Sequence, residues 1–176
     1  DVAAHERGDQ REDEHERREV GEREHLVAGQ DPSTIVPRYA AALLTEKSSP
    51  DSLITVSNGR AVAATVREVA IQDWPKSNVA QMVGALSPSN PMTDSPDICR
   101  MLAERLGGTV TTLHVPMILS SAHIAAAMRQ EPQIAIALVI GVAWGQEKVK
   151  AIKACLVGSY ISALATDQAT AESLLA

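Results

Sequence analysis

The chain has 176 residues, 45% of them hydrophobic and 22% charged, with 2% aromatic residues and no Phe. That is enough for one domain with a core built from Ala, Val, Leu, Ile and Met. The formal net charge of −6 makes it a poor general binder of nucleic acid, because phosphate contacts need clustered Lys and Arg and no basic run is present.

Residues Asp1 to His25 are dense in Glu, Asp, Arg and His, with Val2 and Val20 as their only large apolar side chains. Such a segment buries too little surface to offset its ordering entropy and reads as a charged arm. Pairs such as Glu14 and Arg18 suit a solvated helix. His5, His15 and His25 lie ten apart, which does not bring them to one helical face as metal ligands. No secretory signal pattern opens the chain.

Order is expected from Leu26, with Leu26-Val27-Ala28 as a short strand and Gln30-Asp31-Pro32-Ser33 as a turn or helix start. Ile35 to Lys47 carries Ile35, Val36, Tyr39, Ala42 and Leu43 at helical spacing, and Ser48-Ser49-Pro50-Asp51 ends that helix.

Leu53-Ile54-Thr55-Val56 is then a short apolar run ending in the small polar turn Ser57-Asn58-Gly59-Arg60, and Ala61 to Val69 continues with helical spacing. Strand, tight loop and helix in that order aim backbone N–H groups at an anion. The Ser57 hydroxyl, the Asn58 amide and the Arg60 guanidinium sit at the same turn, and Arg offers charge-assisted bidentate bonds. The alternative is an ordinary turn with Arg60 in solvent.

After the connector Trp74-Pro75-Lys76-Ser77, Asn78 to Val83 reads as a second strand ending in Gly84-Ala85. Ser95 is expected to cap a helix with Pro96 at its first position and Asp97 in its first turn, and Gly107-Gly108 stops it. Thr109 to Val115 is rich in β-branched residues and reads as a third strand. Ser120 or Ser121 caps a short helix to Gln130. Ile134 to Val149 is ambiguous, with its length favouring helix. Its apolar core, Ile134 to Trp144, is too short for a membrane span of about 20 residues. Lys153 to Val157 reads as a fourth strand ending in Gly158-Ser159, and Thr166 as the cap of a last helix, Asp167 to Leu174.

This alternation predicts an α/β fold with a mostly parallel sheet flanked by helices. Ligands on such sheets bind outside the carboxyl ends of the strands. Three expected strand ends carry small polar turns: Ser57-Asn58-Gly59, Gly84-Ala85 and Gly158-Ser159.

The order of these stretches resembles the effector-binding domain of SorC-type bacterial transcriptional regulators, the sugar-sensing group filed with DeoR-like regulators. Ile54 to Val62 is similar to the family's strand followed by Ser-x-Gly-Arg-Thr. Asp31-Pro32 with Tyr39 to Leu44 resembles the preceding helix, and Val79 to Ala85 a strand ending in Gly-Gly. Leu102 to Gly108 with Leu113-His114-Val115-Pro116 resembles a helix, Gly-Gly, strand and Pro signature. The likeness spans about Leu26 to Leu174. It implies a Rossmann-like fold, as in ribose-5-phosphate isomerase and glucosamine-6-phosphate deaminase, with an arm at 1–25 and an effector-binding domain at 26–176.

The resemblance further implies a phosphorylated sugar as effector. It implies self-association as dimer or tetramer, and DNA contact only through a separate helix-turn-helix domain, which this sequence does not contain. Its ligand-binding residues would be Ser57, Asn58, Gly59, Arg60, Gly84, Ala85, Gly158 and Ser159. The chain departs from the pattern at Ala61, where a hydroxyl is usual, and at Ala85, where a glycine is usual. Residues after Lys148 match loosely, and the domain is expected to be incomplete at its C-terminus.

No cofactor, metal or membrane is called for. Cys99 and Cys155 read as reduced core residues, fitting a cytoplasmic protein. His114 and His123 lack a partner nucleophile at recognisable spacing, and Asp97 suits a first-turn role better than acid–base work, with Asp94 beside it. A ligand sensor that is not an enzyme is the leading reading. A sugar-phosphate isomerase or deaminase on the same fold needs an acid–base pair near the loop, and Glu68 lies a helix away. A structural fragment with a vestigial pocket fits Ala61 and Ala85.

Overall fold

The computed structural model describes residues 30–84, 95–113, 121–128, 136 and 138–176. The arm 1–25, the strand expected at 26–28, and Ala85, Asp94 and His114 lie outside the described residues.

Asp31 begins the first described helix. Its carboxylate accepts from the Ser33 hydroxyl at 2.6 Å and the Ser33 N–H at 3.0 Å, capping α1 (Pro32–Lys47). Pro32 sits where the helix needs no donor. The Ser33 hydroxyl bond, then the Ser33 N–H bond, holds the Asp31 carboxyl below its usual range.

Three strands follow: β1 (Leu53–Val56), β2 (Asn78–Gln81) and β3 (Thr109–Thr111), all parallel and in that spatial order. The register pairs Leu53 with Asn78 and Val56 with Gln81, then Asn78 with Thr109 and Ala80 with Thr111. Parallel neighbours need crossovers. These are α2 (Arg60–Glu68) and α3 (Ser95–Leu106). A second parallel pair, β4 (Ile140–Val142) and β5 (Ala163–Ala165), is bridged by a 3₁₀ turn at Gln146–Lys148 and α5 (Val149–Val157). The short α4 (Ala122–Met128) precedes β4, and α6 (Gln168–Leu175) ends the chain.

The main core is aliphatic, as composition requires. Ile54 and Val56 from β1, Val79 from β2, Ala63 and Val66 from α2, and Ile98, Leu102 and Leu106 from α3 close on one another, all buried. A smaller cluster joins Val36 and Ala40 of α1 to Ala165 of β5, with Val142 and Trp144 against it. Helix α1 thus serves both sheets: Ala41 and Leu44 turn to the main core, Val36 and Ala40 to the smaller one.

The end of α3 is closed from two directions. The Gly108 N–H reaches back to the Ala103 carbonyl at 3.0 Å, with Gly107 in the left-handed region at φ 76°. Connector amides satisfy the next carbonyls, Gln72 N–H to Arg105 O at 2.8 Å and Trp74 N–H to Leu106 O at 2.7 Å. Arg105 Nη1 returns a bond to Val69 O at 2.6 Å.

The expected α/β fold with a parallel sheet is what forms, and α1, β1, α2, β2 and α3 fall where sequence periodicity puts them. Four local expectations are corrected. Ile134 to Val149 is not one helix, because it contains β4 and then Gly145 at φ 103°, which turns the chain into the 3₁₀ segment. Lys153 to Val157 is not a strand but the end of α5. Buried Ile152 sits between half-buried Val149 and Cys155 at three-residue spacing, and Lys150, Lys153, Ala154 and Val157 face out. The final strand is β5, and Asp167, not Thr166, caps α6 by accepting from the Thr170 N–H at 3.0 Å. Helix α3 begins at Ser95 itself. Ser121, one of the two expected caps, does accept from the Ile124 N–H at the start of α4, at 3.4 Å. Among the described residues no helix is long and apolar enough to cross a membrane.

Candidate functional site

At the carboxyl edge of the first sheet, β1 delivers the chain into Ser57 and Asn58, both half-buried, and then Gly59. Gly59 has φ 124° and ψ 159°, a conformation essentially restricted to glycine, and an added Cβ would meet nothing within 4 Å. The backbone needs glycine here for its dihedrals, not for space. Its carbonyl receives the Ala63 N–H at 2.9 Å, the first bond of α2. The amides of Arg60, Ala61 and Val62 precede that bond, and among the described residues no side chain caps the helix. Uncapped amides at the positive end of the helix dipole form an anion-binding group.

Side chains around this turn are polar and accessible. The Ser57 hydroxyl lies 3.4 Å from the Asn58 carbonyl oxygen, and Arg60 is exposed with no ion pair among the described residues. The exit of β2 runs alongside, its Met82 N–H bonded to Val56 O at 3.0 Å, and leads to buried Gly84. The structure therefore brings Ser57, Asn58, Gly59, Arg60 and Gly84 to one sheet edge. Ala85 lies outside the described residues.

Gly158-Ser159 is elsewhere. It ends α5, where Gly158 N–H bonds Ala154 O at 2.9 Å and Ser159 has φ 54°. The turn enters β5 at its amino end, with Ser162 and Ala163 N–H groups both on Val139 O, at 2.8 and 3.1 Å. The expectation that Gly158-Ser159 closes a strand is thus corrected. A helix C-terminus presents carbonyls and the negative dipole end, the wrong polarity for an anion.

The carboxyl edge of β4 and β5 holds what sequence reasoning missed. Gly145 follows β4 as Gly59 follows β1, with ψ 144° and again no side-chain cap on the segment after it. Here, however, protein groups fill the turn. The Gly145 N–H donates to Asp167 Oδ2 at 3.1 Å and Thr170 Oγ1 at 3.0 Å, and the buried Thr170 hydroxyl donates to Asp167 Oδ2 at 2.5 Å. Gln146 Nε2 bonds Ala169 O at 3.0 Å, and Ser173 Oγ bonds Gln146 Oε1 at 3.0 Å. The readable signal was Asp167 three residues before Thr170, a capping spacing, but its link to Gly145 spans 22 residues.

Burial would raise the Asp167 carboxyl, yet the bonds from Thr170 and Gly145 together hold it below its usual range. A depressed carboxyl contributes stability above the unfolded value of about 3.9, and that contribution is lost as pH falls through the folded value. Asp167→Asn is expected to flatten the loss of stability below about pH 4 in urea unfolding curves. Parallel pH profiles for variant and parent would refute this. Among the described residues no group of three or more His, Cys, Asp or Glu is gathered to hold a metal ion.

Known proteins carry the same architecture. The family model described as "Putative sugar-binding domain" matches residues 26–139 and 133–176. No curated protein matches the chain. The probable sor operon regulator of Shigella flexneri superposes with a TM-score of 0.72 at 19% identity, covering 81% of this chain and 87% of that one. The full-length sorbitol operon regulator SorC of Klebsiella pneumoniae also gives 0.72, at 18% identity over 87% of this chain and 74% of that one. A DeoR family transcriptional regulator of Listeria monocytogenes gives 0.69, at 11% identity over 86% and 90%. With parallel strands, helical crossovers and a glycine turn at the sheet's carboxyl edge, the chain belongs to this sugar-binding domain family, whose Rossmann-like fold it shares with SorC- and DeoR-type transcriptional regulators.

Proposed function

We propose that this chain is a ligand-sensing domain that holds a phosphorylated sugar at the carboxyl edge of β1 and β2, and that it is not an enzyme. The observation that carries this reading is the uncapped start of α2 behind Gly59, with Arg60 exposed beside it. In the bound state the amides of Arg60, Ala61 and Val62 take the phosphate, Arg60 adds a charge-assisted bond, and Ser57, Asn58 and the Gly84-Ala85 turn line the sugar. Gly158-Ser159 is left out, because its helix end has the opposite polarity. Binding alters self-association of the domain, and through it the operator affinity of a helix-turn-helix domain carried elsewhere. The regulator neighbours support this coupling by analogy of fold.

A thermal-shift panel of glucose 6-phosphate, sorbitol 6-phosphate, ribose 5-phosphate and the matching free sugars tests the reading. A ligand present at 100 times its Kd stabilises the fold by about 2.7 kcal/mol. A stabiliser recovered chemically unchanged supports a sensor, and turnover supports an isomerase or deaminase. No response to any member favours a vestigial pocket, the reading that Ala61 and Ala85 favour.

Arg60→Ala is expected to weaken the phosphorylated ligand about tenfold or more, the worth of a hydrogen bond to a charged group. The free sugar should be little affected. Stability should stay within about 0.5 kcal/mol, since the side chain is exposed. Equal weakening of sugar and sugar phosphate in titration calorimetry would remove Arg60 from the phosphate site.

A further inference from the structure

Between β2 and β3 the sheet changes its means of attachment at its carboxyl edge. Main-chain pairing of the two strands ends at Ala80 with Thr111. Strand β2 stays fastened to β1 one residue further, through the Met82 N–H on Val56 O at 3.0 Å. On the other side a side chain makes a link. The Leu113 N–H donates to Gln81 Oε1 at 2.9 Å, and Gln81 Nε2 donates to Val83 O at 2.8 Å. Gln81 is 8% exposed, so neither bond is readily replaced by water.

One primary amide, using one acceptor and one donor, thus stands where a main-chain bond would otherwise draw β3 against β2. The amide ties Leu113, two residues past β3, to the Met82 to Gly84 turn that follows β2. Ligands on parallel sheets bind in the crevice outside this edge. We propose that Gln81 is the positioning residue of the effector site, setting the Gly84 turn and the β3 exit together without touching the ligand. This rests on the sugar-phosphate reading above for its ligand, but not for its geometry.

Two variants test it. Gln81→Met keeps the length and removes both bonds. Gln81→Glu keeps the acceptor, but supplies a donor only when protonated. In that variant the charged form faces the Val83 carbonyl and is buried, so its carboxyl is held above the usual range. Its function is then present at low pH and lost as pH rises through that value.

With the panel member giving the largest thermal shift, Gln81→Met is expected to bind about tenfold more weakly than the parent. Gln81→Glu should bind more weakly than the parent near pH 8, where the bond to the Val83 carbonyl is lost, and approach the parent as pH falls towards about 5.5. Affinities are taken as ratios to the parent at each pH, which cancels titration of the phosphate itself. A pH-independent ratio, or parental affinity in Gln81→Met, overturns the proposal.

Should the parent bind no panel member, the effector reading fails separately, and amide hydrogen exchange decides the role of Gln81. Faster exchange in Gln81→Met confined to Leu113 and the 82–84 turn supports it. Unchanged exchange at Leu113, or uniform acceleration along the chain, overturns it. If Gln81→Met does not fold, exchange across the 82–84 turn in Gln81→Glu, taken as a ratio to the parent at each pH, decides it: a ratio that rises with pH supports the role and a constant ratio overturns it.

Discussion

Gly108→Ala is expected to destabilise the domain by about 3 kcal/mol, the upper end of what overpacking costs. A Cβ at this position would lie 2.5 Å from the Ser77 carbonyl oxygen and closer still to the Ser77 hydroxyl. Neither can step aside cheaply. The Ser77 carbonyl accepts the Thr109 N–H at 3.0 Å, the link by which β3 enters the sheet. The Ser77 hydroxyl, fully buried, donates to Trp74 O at 2.8 Å. Relieving the clash means moving β3 from β2, or breaking the return of the Gly108 N–H to Ala103 that closes α3. Chemical denaturation should give a lower midpoint with an unchanged slope. A loss under about 1 kcal/mol would mean that β3 tolerates displacement and that the close approach is incidental.

Gly59→Val carries the largest expected functional effect. Steric crowding is not the reason, because the space beside Gly59 is open. The strain is in the dihedrals: φ 124° with ψ 159° is closed to a β-branched residue, and forcing it costs about 1–3 kcal/mol. The backbone is expected to relax instead, turning the first amides of α2 away from the sheet edge. Losing two hydrogen bonds to a charged phosphate weakens binding at least about a hundredfold. Calorimetry on Gly59→Val and Arg60→Ala separates the contributions, since the first removes backbone donors and the second one side chain. A Gly59→Val protein that binds sugar phosphate as tightly as its parent would sink the proposed site.

The two glycine turns explain why only one edge is proposed as a ligand site. Gly59 and Gly145 both follow a parallel strand and both start an uncapped helical segment. At Gly145 the donor is already taken by Asp167 and Thr170. At Gly59 no carboxylate among the described residues performs that service, which supports the reading that the positive end of α2 keeps its capacity for an external anion. The same turn chemistry serves cohesion in one place and is available for binding in the other.

Much of this was readable residue by residue. Asp31-Pro32 announced a helix, Leu53 to Val69 announced strand, glycine turn and helix, and Gly107-Gly108 announced the end of α3. Each signal is local: a cap, a period, or a glycine where the chain must turn. The strand ending at Val56 was legible for the same reason.

The rest was settled by partners distant in sequence. Strands β4 and β5 are three residues each, too short to show alternation, and exist because Ile140 meets Ala163 and Val142 meets Ala165. Helix α5 looked like a strand until Ile152 found a buried side to face. Gln81 was one polar residue in an apolar run, and only its bond to Leu113, 32 residues on, gives it a task. Local sequence determined where the chain turns and which stretch starts a helix behind a glycine, because dihedral preference and periodicity act over a few residues. Tertiary structure decided which polar groups are already spent and which remain, because a hydrogen bond's partner is chosen by proximity in space.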